Sequence, residues 1–130
     1  TLPSGRSLAY PAPQVRKRPT PWGEEKNALT HTGVHPLTRK WSRLTVYGGL
    51  LVENIVQAIS RDIMAEAMVR CEQTGVYLPV LTCHDEIMCE VDLMTGELHE
   101  FEQTVIQCPS WATGLPIAAD AFVAQRYRKG

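Results

Sequence analysis

Apolar residues recur every four positions through the middle of the chain. Leu51, Ile55, Ile59, Ile63, Ala67 and Cys71 make one stripe, which Val52 and Val56 widen. That is the period of a helix with one face on a core, and it predicts a helix over Leu50 to Gln73. Gly48-Gly49 before the stripe and Gly75 after it mark its ends. The pattern then changes to short runs rich in β-branched and apolar residues. Val76 to Cys83 and Glu86 to Val91 predict a hairpin with a tight turn near His84-Asp85. Pro79 inside the first run makes that strand short or irregular. Thr95 is placed to cap a helix reaching Gln107, with Leu98, Phe101 and Val105 on its inner face and Cys108-Pro109 ending it. Leu115, Ile117, Ala119, Ala121 and Val123 alternate as in a strand with one face on a core.

The first part of the chain is less regular. Ser4-Gly5 reads as a turn and Arg6 to Tyr10 as a short strand. Pro11, Pro13, Pro19 and Pro21 each remove a backbone donor and fix φ, so Gln14 to Lys26 is expected as a mobile loop. Asn27 to Thr32 is expected as a second strand pairing with the first. Thr38 is placed to cap a short helical turn holding Trp41 and Leu44. The resulting order is β-loop-β, helix, β-hairpin, helix, β. This is the α+β class, with helices packed on an antiparallel sheet.

A chain of 130 residues is one domain or a large piece of one. Its net charge of −1 announces no polyanionic partner by itself. The distribution is more informative. Arg16-Lys17-Arg18, Arg39-Lys40 with Arg43, and Arg126, Arg128 and Lys129 form basic patches, while acids gather between Asp85 and Glu102. Such runs are commonly solvated faces; phosphate-binding patches are the sharper reading. Cys71, Cys83, Cys89 and Cys108 follow neither a zinc spacing nor a secretory framework and read as buried, reduced thiols. His99, on an acidic helix face, reads as a surface residue. No apolar run is long enough to cross a membrane and no signal peptide is visible. The chain starts at Thr1, which suggests a fragment.

His84-Asp85-Glu86 interrupts the apolar stretch from Val80 to Val91. Carboxylates between two strands need a turn, a partner or a cation. On local pattern alone the triplet is a solvated hairpin tip. Gln57 and Arg61, four apart on one flank of the long helix, are on the same footing a polar helix face.

The wider series of motifs resembles the end of a family A DNA polymerase, the group containing bacterial DNA polymerase I and many phage replicases. Leu2-Pro3-Ser4-Gly5-Arg6 is similar to the segment after the fingers helix. Trp41, Arg43 and Tyr47-Gly48-Gly49 lead into Val52-Glu53-Asn54-Ile55-Val56-Gln57-Ala58 and Arg61-Asp62. Leu81-Thr82-Cys83-His84-Asp85-Glu86 is similar to the third polymerase motif, a β-turn-β unit of the palm. Leu115 to Ala119, with Arg126-Tyr127-Arg128-Lys129, resembles the terminal palm strand. The likeness is closest to phage-type members. It implies an N-terminal β/loop segment over 1–47, following the fingers, and a palm core over 48–130. It also implies a cytoplasmic setting in a bacterial or phage-infected cell.

The resemblance implies template-directed addition of deoxynucleoside triphosphates to a DNA primer–template, with Mg²⁺ as cofactor. Phosphoryl transfer depends on in-line positioning and on cations over the developing charge, supplied by two metals about 3.5–4 Å apart. The likeness makes Asp85 the metal ligand, Glu86 its neighbour in the catalytic centre, and His84 a contact near the primer terminus. It makes Gln57, with Arg61 and Arg43, a DNA contact. An amide donor in the minor groove meets N3 and O2 acceptors in every base pair and so senses pairing without reading sequence.

The chain also departs from the family. The first motif's partner aspartate and the fingers helix with its Arg, Lys and Tyr are not found between Thr1 and Gly130. Gln57 is followed by Ala58-Ile59 where many bacterial members have Gly-Thr. The isolated chain is therefore expected to be inactive, and to pair with a second copy through an open sheet edge of the Val80 to Val91 hairpin. Two rival readings are a non-catalytic nucleic-acid-binding module on a palm scaffold and a small metal-dependent phosphodiesterase.

Overall fold

The computed structural model describes residues 1–127. It divides into two compact units, Thr1–Ala58 and the residues from Ile59 onward. Antiparallel sheets and helices occur as separate elements, which is the expected α+β class.

The first unit is built on a three-stranded antiparallel meander in the order β1 (Gln14–Pro19), β2 (Glu25–Val34), β3 (Trp41–Val46). The expected mobile loop is thus a hairpin, closed by Thr20 N–H donating to the Glu24 carbonyl at 2.7 Å. The prolines do not forbid it. Pro11 and Pro13 precede β1, Pro19 is its last residue, and β1 is an edge strand exposed along its whole length. A missing donor costs least there. Arg6 to Tyr10 forms no strand, and β2 pairs with β1 on one side and β3 on the other. Trp41 and Leu44, expected on a helical turn, lie on β3. The turn is confined to residues 36–38, and the open side of β2 supplies β3 with a ladder partner.

The long helix α1 (Gly48–Thr74) starts where Leu51 N–H bonds the Tyr47 carbonyl at 3.0 Å. Gly48 and Gly49 therefore belong to its first turn. It stops at Gly75, whose φ of 69° suits glycine and not a residue with Cβ. The four-residue stripe is only partly covered. Of its residues Ala67 and Cys71 are buried, as is Ala58 beside it, whereas Ile55 and the flanking Val52 and Val56 are 41%, 60% and 56% exposed. In the first unit, Arg6 bonds the Ala58 carbonyl at 3.0 Å and Asn54 donates to the Tyr10 hydroxyl at 3.1 Å.

The second unit contains the C-terminal part of α1, the hairpin β4 (Leu78–Cys83) and β5 (Glu86–Glu90), α2 (Leu98–Ile106) and a 3₁₀ turn at Ser110–Ala112. The ladder slips between Pro79 and Leu81, the irregularity expected of Pro79. A nine-residue helix such as α2 is marginal alone, and side chains from elsewhere hold both of its ends. Tyr77, 3% exposed, shares its hydroxyl proton between the Glu97 carbonyl at 3.0 Å and the Glu100 carboxylate at 2.9 Å. The same oxygen accepts from Glu97 N–H at 3.1 Å. At the far end, Arg70 of α1 donates to the carbonyls of Thr104 and Val105 at 3.1 and 3.2 Å. This satisfies C-terminal acceptors and puts a cation at the negative pole of the helix. Thr95, expected to cap α2, bonds the Asp92 carbonyl and closes its own turn.

Leu115 to Val123 forms no strand. Alternation needs a ladder partner to become a strand, and here Ala121 N–H is bound to a Glu102 carboxylate oxygen of α2 at 3.0 Å. Of the expected C-terminal basic residues, Arg128 and Lys129 lie outside the described residues.

Gly96 joins the hairpin to α2 with a φ of 71°. A Cβ there would stand 2.9 Å from the Tyr77 ring and 3.0 Å from Val76 and Val91. Gly96→Ala is expected to lower unfolding stability by about 2–4 kcal/mol, combining left-handed strain with overpacking. Urea unfolding checks this, and an unchanged midpoint would contradict the packing described.

Cys71 and Cys89 interact between α1 and β5 without a disulfide. Burial first, then the neighbouring Cys71, pushes the Cys89 thiol up to about 12, and burial also raises Cys71. A folded-state value above the unfolded one favours the protonated, folded form. That stability is complete below about pH 8.5 and is lost as pH climbs toward the folded value. Urea midpoints should fall between pH 8.5 and 10, and Cys89→Ala should flatten that fall.

Candidate functional site at the hairpin tip

The β4–β5 ladder places the triplet. Cys83 pairs with Glu86, so the connection is the two residues His84 and Asp85. Two-residue connections need positive φ to match strand twist, and glycine or asparagine normally supplies it. Here His84 does so, with φ 55°, a conformation uncommon outside glycine. Its backbone conformation leaves His84 and Asp85 exposed at the tip.

Glu86 behaves differently from Asp85. It is the first residue of β5 and half-buried, and it accepts a hydrogen bond from the Tyr127 hydroxyl at 3.3 Å. Tyr127 is raised above the usual phenol range, by desolvation first and then by Cys83 and Glu86. The two adjacent carboxylates are thus distinct groups, one open to solvent and one held. Tyr127 was not legible as a partner of Glu86, because 41 residues separate them.

The expected DNA contacts lie on other elements, α1 and β3. Gln57 is exposed on α1 and donates to Glu53 at 3.2 Å, a helical i, i+4 pair that the sequence spacing already contained. Arg61 is exposed on the same helix. Arg43 is committed to its own fold through bonds to the Ala12 carbonyl at 3.0 Å and to Thr30 at 3.2 Å. His99 is exposed and stands 3.9 Å from Glu102.

Asp85 offers the hard, exposed oxygen that suits Mg²⁺. Among the described residues, however, no group of three or more His, Cys, Asp or Glu side chains converges to hold a metal. The donor chemistry fits the metal, and the number of donors falls short of a two-metal clamp. No helix among the described residues is long and apolar enough to cross a membrane.

The chain is 44% identical, over 128 residues, to the DNA polymerase of Bacillus phage SP02. The alignment covers 98% of this chain and 19% of that protein. No family model matches the chain, and no solved structure matches it. The chain is therefore related, over almost its whole length, to a segment of a DNA polymerase.

The left-handed backbone at His84 carries a strain that glycine would not. His84→Gly should leave the urea midpoint unchanged or raise it by about 1 kcal/mol of stability, because glycine adopts this φ without strain. A clear loss of stability would mean that the imidazole itself holds the turn.

Proposed function

We propose that this chain is the C-terminal palm portion of a family A, template-directed DNA polymerase and carries part of its catalytic centre. The observation that carries the reading is the 44% identity to the SP02 DNA polymerase across 98% of the chain. An exposed carboxylate at the end of a two-residue turn supports it.

In this reading Asp85 is a ligand of catalytic Mg²⁺, working with at least one carboxylate contributed from elsewhere in the polymerase. When bound, such metals neutralise charge on the attacking and leaving oxygens of nucleotidyl transfer. Asp85 holds its oxygens in solvent reach at the tip. Glu86, bound to Tyr127, steadies the first rung of the hairpin. His84 presents backbone and ring next to the primer terminus. Gln57, oriented by Glu53, offers its amide to the minor groove of the primer–template, with Arg61 one turn further along α1. The chain by itself, with one exposed carboxylate at the hairpin tip and no group of metal donors converging on it among the described residues, carries out no turnover.

Asp85→Ala in the complete polymerase should lower single-turnover nucleotide addition by about a thousandfold, equivalent to several kcal/mol of transition-state stabilisation. The urea midpoint should remain near that of the parent. Incorporation within tenfold of the parent would remove Asp85 from the metal site. Extension by this chain alone would show that it does not depend on the other polymerase motifs.

A further inference from the structure

The register of the β1–β2–β3 meander sorts its charges by face. Residues directly opposite each other share a face, as do residues two apart along a strand. Arg18 is opposite Lys26, and Arg16 is two residues from Arg18. Thr32 is opposite Arg43 and Val34 is opposite Trp41, all an even number of residues from Lys26 along β2 and its partners. Arg16, Arg18, Lys26, Arg43 and Trp41 therefore lie on one face. Two contacts agree with this sorting. Arg16 bonds Gln14, two residues away on the same face, at 3.1 Å. Lys17, on the opposite face, pairs with Glu25 directly across from Pro19 at 3.7 Å.

The consequence is a one-signed surface on a chain whose net charge is −1. Glu25 is the only carboxylate in the three strands, and it lies on the other face. Arg16, Arg18 and Lys26 are exposed, and the Trp41 ring is 66% exposed although it lies in a strand. Rows on one face repeat every two residues, so the stripe from the Arg18–Lys26 row to the Trp41 row spans about 27 Å. Exposed cations at one end of the stripe and an exposed aromatic ring at the other, with the buried Thr30 and the sheet-bonded Arg43 between them, suit a flexible single strand laid along the face: phosphates for the charges and a base for the ring. A solvated basic face would not need the tryptophan.

We propose that this face of the meander binds single-stranded DNA, with Arg16, Arg18 and Lys26 on phosphates and Trp41 stacking on a base. The face lies within the Thr1–Ala58 unit and does not depend on Asp85 being a metal ligand.

The test is fluorescence anisotropy on the 130-residue chain, with a labelled oligothymidylate of about 12 nucleotides and a blunt duplex of equal length, across a salt series. Arg16→Ala/Arg18→Ala/Lys26→Ala should weaken single-strand binding at least tenfold. It should also reduce the slope of log affinity against log salt by about 2, since each lost phosphate contact contributes about 0.7. Trp41→Ala should weaken single-strand binding by about tenfold with the slope unchanged. Lys17→Ala, on the opposite face, should stay within twofold of the parent. Circular dichroism reports folding; if the triple variant unfolds, Arg18→Gln and Lys26→Gln singly should each lower the slope by about 0.7. An unchanged slope in folded variants, or a loss from Lys17→Ala equal to that from Lys26→Ala, overturns the site. Tighter binding of the duplex, indifferent to Trp41, overturns the single-strand assignment. This test reads binding by the 130-residue chain, whereas the metal-site reading is tested by nucleotide addition in the complete polymerase, so failure of one and failure of the other are separable.

Discussion

The buried hydroxyl of Tyr77 is the interaction on which the second unit depends. It stands at the entry to β4 and reaches both the backbone and a side chain at the start of α2. Its ring packs on Phe101 at 5.2 Å between centroids. One residue thereby joins the hairpin that presents the triplet to the helix that follows it. Gly96 is forced to be small because this ring occupies the space its Cβ would need. Burial and the Glu100 carboxylate both disfavour the phenolate, so the group remains a donor well into alkaline solution. A short helix with no basic residue in its last turn is thus stabilised from outside, by Tyr77 at one end and Arg70 at the other.

The hairpin itself is a device for separating two neighbouring carboxylates. Alternation along β5 and a two-residue turn send Asp85 into solvent and Glu86 back toward Tyr127. The left-handed backbone at His84 allows so short a connection. Close spacing in sequence therefore does not mean equivalent chemistry. Only one of the two acids is presented openly, and a metal centre built on it needs donors beyond those that converge here.

The meander applies the same period-2 rule to a different end. Alternation places Arg16, Arg18 and Lys26 on the face opposite the Lys17–Glu25 pair, so the run Arg16-Lys17-Arg18 is not a uniform patch. Thr30 is fully buried on this sheet, bonded to the Gln14 carbonyl and to Arg43. Arg43 is thereby fixed in place as part of the sheet's own structure.

The sequence by itself determined the long helix, the hairpin and the turn residues of the tip. Each rests on local signals: a four-residue apolar repeat, two β-branched runs, and glycine after the last helical turn. It also determined a likeness to DNA polymerases, which the 44% identity to a phage DNA polymerase bears out at that level. The tertiary structure decided what needs a distant partner. Gln14–Pro19 became a strand because β2 offered it a ladder, while Leu115 to Val123 did not, its backbone being bound instead by Glu102. Trp41 and Leu44 took strand geometry because β2 had a second open side. The exposure of Val52, Ile55 and Val56, the Tyr127–Glu86 bond and the Cys71–Cys89 contact were all invisible to periodicity. Period reports which residues share a face. Only packing decides whether anything covers it, and which remote side chain meets it.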